Sequence, residues 1–199
     1  VPLTEIDIKN LVEFVDSFVS VSLDDDDIKE IVKKVNTHHH TKTCRKYGVL
    51  CRFQFPKYPT LETIISVPFI YMTGLNKKGK PMNDKEKEAK FKHYQDVLKK
   101  VKENLEDDVL MADLELFTPE AQIEELCKLS KVSVEDYNMA LKFTYNSYTV
   151  HHKRNIQERM VNNYNKEWLT AWNGNMDIQV CLDFYAVISY ISDYVTKPE

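Results

Sequence analysis

The chain has no apolar run approaching the ~20 residues that a membrane-spanning helix requires. It has no secretory leader at its start either, so no membrane partner is expected. Internal repeats and low-complexity linkers are absent, which excludes a solenoid array. Cysteine is sparse. Of Cys44, Cys51, Cys127 and Cys181, only the first two lie close together, and they lie among histidines. That placement excludes a disulfide framework and points to a reducing compartment and a metal. An overall positive charge is missing too: the net charge of −4 does not by itself advertise a nucleic-acid partner.

What is present is ordinary in bulk and uneven in detail. The 199 residues suffice for one large domain or two small ones, and a 43% hydrophobic, 29% charged composition suits a soluble globular protein. The chain opens on Val1 rather than methionine and stops at Glu199, so a piece of a longer polypeptide is expected. The first 30 residues carry nine acids, Asp24 to Asp27 among them, against Lys9 and Lys29. Lys33, Lys34, Lys42, Arg45, Lys46, Arg52 and Lys57 then follow between Ile31 and Thr60 with no acid among them. Such a block is either a local contact for a polyanion or a solvated loop.

Periodicity predicts a helix over 4–18 with Thr4 as N-cap, and a short one from Asp24–Asp27 to Val35. Residues 36–60 show no period. A strand is expected over 63–67, a turn-rich segment over 74–83, and a helix over 84–105 buried through Phe91, Tyr94, Leu98, Val101 and Leu105. Thr118-Pro119-Glu120 opens a helix to about Leu129, and Ser133 another to about Phe143, together a helical hairpin. Beyond them, 147–151 reads as a strand, 166–172 as a short helix with Trp168 and Trp172 either in the core or free to stack on bases, and 176–181 as an alternating strand. Asp183 is the expected cap of a last helix. The fold class is helix-rich α+β: a small mixed or antiparallel sheet, a metal-stabilised loop and a C-terminal tyrosine helix. Its expected parts are 1–60, a mostly helical insert over 61–146, and a strand–helix–strand–helix unit over 147–199.

Two segments carry chemistry. His38, His39, His40, Cys44 and Cys51 put five nitrogen or sulfur ligands within 14 positions. Two imidazoles and two thiolates suit tetrahedral zinc, and His38, His40, Cys44 and Cys51 are the preferred set. A bound ion would order a loop poor in apolar residues and display Lys42, Arg45, Lys46 and Arg52 to phosphates. Two other readings remain open: a polar loop with incidental histidines, and a strand whose His38-x-His40 pair binds a catalytic ion. In the last helix, Tyr190, Tyr194 and Lys197 fall at i, i+4 and i+7, within about 60° of arc. They flank a separate apolar stripe of Phe184, Val187, Ile188, Ile191 and Val195. Two phenols beside an ammonium suit nucleophilic attack on a phosphodiester; boundary tyrosines with wet hydroxyls would look the same. His151-His152-Lys153-Arg154 ends a predicted strand and either grips phosphate or is solvated. The amides of Asn162, Asn163, Asn165, Asn173 and Asn175 either orient the chain below the tyrosines or touch DNA.

Three ordered segments carry a family resemblance: His38-x-His40-Thr-x-Thr-Cys44…Cys51-Arg-Phe-x-Phe-Pro-Lys57, Asn162-Asn-Tyr-Asn…Leu169-x-x-Trp172-x-x-Asn-Met-Asp-Ile-Gln179, and Tyr190-x-x-x-Tyr194-x-x-Lys197. Together they resemble the Rep part of Helitron-like transposable elements, two-tyrosine HUH endonucleases that initiate rolling-circle replication. The resemblance implies a single-stranded DNA partner, a helicase domain in the same parent polypeptide and a nuclear location. It implies Tyr190 and Tyr194 as nucleophiles forming a 5′-phosphotyrosine, Lys197 beside them, and Mg2+ or Mn2+ in the parent enzyme. The basic residues Lys42, Arg45, Lys46, Arg52, Lys57, Lys153 and Arg154 become candidate DNA contacts. The family's His-hydrophobic-His motif, which holds that ion, is not found here, so this is expected to be a C-terminal part of a Rep module that cleaves poorly alone. The rival expectation is a non-catalytic, zinc-stabilised nucleic-acid-binding module.

Overall fold

The computed structural model describes residues 3–45, 51–72, 79–143, 147–182, 187, 188, 191, 192 and 195. Its elements follow from local rules. Helix α1 (Glu5–Phe18) starts at Thr4, whose hydroxyl accepts from the Asp7 N–H while the Asp7 carboxylate accepts from the Thr4 N–H. This reciprocal cap satisfies two N–H groups that the first turn leaves without partners. Helix α2 (Lys29–Val35) carries Glu30 in its first turn and Lys33 and Lys34 in its last, the order the helix dipole favours. Strand β1 (Ile64–Ser66) and a 3-10 turn (Phe69–Tyr71) lead to the long helix α3 (Asp84–Leu105), capped by Asn83 and Glu86 in the same reciprocal way.

Helix α4 (Asp108–Leu114) was not expected from the sequence. Asp107 starts it by accepting from the N–H groups of Val109 and Leu110, both at 3.0 Å. With seven residues it offers only Met111 and Leu114 to the core, too few for a visible period. Helix α5 (Pro119–Leu129) begins at Thr118 with proline in its first turn, and α6 (Val134–Phe143) returns beside it, as the sequence predicts. Strand β2 (Thr149–His151), a 3-10 turn (Ile156–Glu158) and helix α7 (Lys166–Trp172) complete the described elements. The fold is thus helix-rich α+β with a small antiparallel sheet. In it Ile64 faces His151, Ile65 faces Val150 and Ser66 faces Thr149.

The main core lies where α3, α4, α5 and α6 meet the sheet. Val101, Leu105, Met111, Leu126, Tyr137, Ala140, Leu141 and Ile156 are all sealed from solvent. Tyr137 resolves its one polar atom by donating to the Pro59 carbonyl at 2.8 Å. On α3 the buried stripe is Tyr94, Val97, Leu98, Val101 and Leu105; Phe91 is half-buried against Phe69. A second apolar cluster joins Ile28 and Val32 to Val161, Tyr164 and Leu169. Antiparallel bridges, Thr37 to Val161 and Ser20 to Tyr164, stitch these distant stretches together.

Several expectations are corrected. Trp168 and Trp172 are not core: they are 54% and 70% exposed, and α7 buries Leu169 instead. Trp168 meets the ring of Phe18 edge-on at 5.2 Å. Residues 176–181 form no strand. They carry no regular structure, with the Met176 N–H on the Asn36 side chain (2.8 Å) and Ile178 bonded in both directions to Asn163. The amides are therefore internal fasteners: Asn162 bonds Asn175, and Asn165 both caps α7 and donates to the Phe18 carbonyl. Asn173 ends α7 in the left-handed conformation that asparagine tolerates well. Of the expected last helix, Val187, Ile188, Ile191, Ser192 and Val195 are helical. Of the described members of its apolar stripe, Ile188, Ile191 and Val195 are exposed and Val187 is half-buried. Tyr190, Tyr194, Lys197 and the cap at Asp183 lie outside the described residues, as do Lys46 and 73–78.

Candidate metal centre

The aperiodic loop is built around four side chains. His38 is held by its N–H on the Met160 carbonyl (2.7 Å), one residue past the bridge at Thr37. Its ring stacks on Phe55 at 4.5 Å between centroids and 11° between planes. Three residues on, the chain turns at Thr41, whose N–H points at the Cys44 sulfur (3.2 Å). The Arg52 N–H then ties to the Cys44 carbonyl (2.9 Å), which brings Cys51 back over the turn. Cys44, Cys51 and Phe55 are buried together under Met160.

The result is convergence. The ligand atoms of His38, His40, Cys44 and Cys51 all lie within 4.8 Å of one another. His38 Nε2 is 3.4 Å from the Cys51 Sγ, and His40 Nδ1 is 3.6 Å from the Cys44 Sγ. The edges of a tetrahedral zinc site with Zn–N and Zn–S bonds near 2.1 and 2.3 Å are about 3.4–3.8 Å. The four residues can therefore hold a metal ion. His39 is exposed and stands outside the set. No strand runs through His38 and His40, so the reading of a catalytic His-x-His strand has no structural basis.

Protonation suits the same purpose. Burial, and then nearby positive charge, hold His38 and His40 below the usual histidine range, so both stay neutral and offer a lone pair. Burial opposes the Cys44 thiolate, but hydrogen bonds from Thr41 and Cys51 and the charge of Arg45 outweigh it and lower the thiol pKa. A further residue was missed by sequence reasoning. Glu106, just past α3, lies 3.7 Å from His40 Nε2 and pairs with Arg45. A carboxylate on the far side of the ring favours the tautomer with its proton on Nε2, which leaves the Nδ1 lone pair toward the sulfurs.

The basic residues divide sharply. Lys42, Arg52 and Lys153 are exposed, Arg52 resting 4.5 Å above the Phe53 ring. Arg45 is engaged by Glu106. The Lys57 ammonium lies over Phe55 and donates to the Phe53 carbonyl at 2.8 Å. Arg154 is corrected: it is no surface phosphate grip but is 3% exposed, donating to the carbonyls of Glu158 and Val161 and to Asn163. His152 is buried too, and burial pushes it down to about 4 and His151 to about 3.

No protein-family model, curated protein or solved structure matches this chain. Among the described residues, no helix is long and apolar enough to cross a membrane.

Proposed function

We propose that this chain is the C-terminal part of the Rep module of a Helitron-like replication initiator, in which a zinc-bound loop presents single-stranded DNA to the Tyr190–Tyr194 helix. The observation that supports it best is the convergence of His38, His40, Cys44 and Cys51 in a loop that exposes Lys42 and Arg52. Two neutral imidazoles and two thiolates favour zinc over magnesium or calcium, which take oxygen ligands. Zinc here is structural: with four protein ligands the site is closed to substrate.

The reaction proposed for the parent protein is transesterification. A tyrosine oxygen attacks a DNA phosphorus, its proton leaves, and the P–O3′ bond breaks to free a 3′-hydroxyl. The phosphotyrosine ester retains the bond energy, so the hydroxyl can reverse the step without ATP. Mg2+ or Mn2+ on the phosphate would assist from the His-hydrophobic-His site expected elsewhere in the parent. The test is covalent capture. The parent polypeptide with a labelled single strand and Mn2+ is expected to form an adduct that Tyr190→Phe with Tyr194→Phe abolishes; an adduct surviving in the double variant rejects these nucleophiles.

A second reading is favoured by the metal cluster itself, whose four candidate ligands include no tyrosine: a non-catalytic, zinc-stabilised nucleic-acid-binding module. It shares the salt-sensitive strand binding expected of the first, and predicts no adduct from any parent polypeptide.

A further inference from the structure

Sharing Cys51 with the metal cluster lies an open cavity of about 870 Å3, within the size range of small-molecule sites. The C-terminal half of α3 walls one side, β2 and its continuation to Arg154 another, and the Gln54–Tyr58 segment a third. Its charge is one-sided. Arg45, Lys57, Lys99, Lys102 and Arg154 line it against Glu103 and Glu106, in a chain whose net charge is −4. Glu106 is already committed to Arg45. Among the described residues, none of Lys57, Lys99, Lys102 and Arg154 forms an ion pair.

The ammonium groups lean instead on neutral oxygens. Lys102 donates to the Gln54 carbonyl at 2.7 Å and to that of Pro56, and Lys57 to that of Phe53. An ammonium has three protons, so each lysine keeps donor capacity beyond these bonds. Arg45 Nε is buried with no hydrogen-bond partner among the described residues. Burial and the charge of Arg154 lower Lys57, and burial and the charge of Lys57 push Lys102 down to about 8. Cations crowded in this way are stabilised by an anion placed between them. Each of these walls also carries apolar surface, through Phe55 and Tyr58, Leu98, and Val150, which suits the body of a ligand whose charged end meets the lysines.

We propose that this cavity binds one nucleotide, with Lys57 and Lys102 clamping its phosphate and the apolar surface covering its sugar and base. The proposal rests on the strand-binding reading for the choice of a nucleotide as the phosphate ester. The same chemistry is offered by a free mononucleotide and by one unit of a single strand.

The test is lysine footprinting on the whole, zinc-loaded chain. An amine-reactive acylating reagent is applied alone, then with orthophosphate, with dTMP, and with a ten-residue oligo-dT, and modified sites are read by mass spectrometry. Strand binding is measured in parallel by fluorescence anisotropy. Lys57 and Lys102 are expected to acylate about fivefold more slowly with dTMP or oligo-dT. The exposed Lys9 and Lys128 should keep their rates. Protection at lower oligo-dT than dTMP concentration identifies a strand as the source, and the reverse a free nucleotide; either supports the cavity. If oligo-dT binds while Lys57 and Lys102 react at unchanged rates, the cavity proposal is overturned and strand binding stands. If dTMP protects but no strand binds, the cavity stands and the strand reading fails. Protection by orthophosphate equal to that by dTMP overturns the nucleotide assignment. Lys102→Met should weaken dTMP binding about tenfold, and Lys102→Arg should restore most of it.

Discussion

Two regions of this molecule solve the same problem by different means. Residues 84–143 are held by apolar burial: four helices close over Leu126, Tyr137, Ala140 and Leu141. Residues 36–57 have almost no such resource. Among the described residues, their buried apolar cluster is Cys44, Cys51 and Phe55, two of which are thiols aimed at histidines. A packed helical unit is stabilised by many weak, interchangeable contacts. A loop organised around four candidate metal ligands would rest, once loaded, on residues that cannot be exchanged. The first should degrade gradually under substitution and the second all at once.

The sharpest way to break that comparison is to remove the metal. Chelation, or Cys44→Ser with Cys51→Ser, should abolish bound zinc and expose the amides of 37–55 to hydrogen exchange. The helical circular dichroism of α3, α5 and α6 should persist. Structural zinc contributes on the order of 10 kcal/mol in small sites; unchanged metal content in the double variant would refute the ligand set. Next comes Leu141→Ala, at a position fully closed to solvent. It should cost about 2–5 kcal/mol in urea unfolding and leave zinc stoichiometry untouched.

Acid should act on the seam between the regions. His152 is neutral in the fold, its pKa held down to about 4 by burial and then by Arg154 and Lys57. Unfolded, it titrates near 6.5, so below that pH the unfolded chain takes up a proton that the folded one refuses. Stability from this group is full above 6.5 and is lost as pH falls toward 4, by about 3 kcal/mol at most. Urea midpoints between pH 7 and 4 check the slope; His152→Asn should make it shallower, and the remainder belongs to the neighbouring buried His151, itself pushed down to about 3. The smallest effect is expected for Glu106→Gln. It keeps shape but loses the carboxylate behind His40, and should weaken zinc about tenfold in competition with a chromogenic chelator.

The two regions also differ in how plainly the sequence announces them. Helices α3, α5 and α6 are legible because their apolar residues recur at helical spacing and Asn83 and Thr118 mark their starts. The candidate metal ligands are legible from residue type alone, since histidine and cysteine rarely gather without cause. Glu106 was not, because it arrives from a helix end 66 positions past His40. The tryptophans misled because size suggests burial, whereas α7 spends its one inward position on Leu169. Arg154 misled for the opposite reason: a basic run reads as surface, yet inward-turned carbonyls of Glu158 and Val161 satisfy its guanidinium. The alternation of 176–181 was real, but amide side chains meet its backbone where a neighbouring strand was expected.

Asn36 shows what that substitution of amide for strand entails. Its side chain gives a proton to the Asn162 carbonyl and takes one from the Met176 N–H, while its own backbone carbonyl receives the Asn162 N–H. One planar group thus splices three stretches of chain that are otherwise remote. Aspartate matches its outline but has no proton to give, leucine its bulk but neither function, and glutamine both functions at the wrong reach. The identity of this residue is dictated by the stoichiometry of donors and acceptors and not by volume, two positions before the first imidazole.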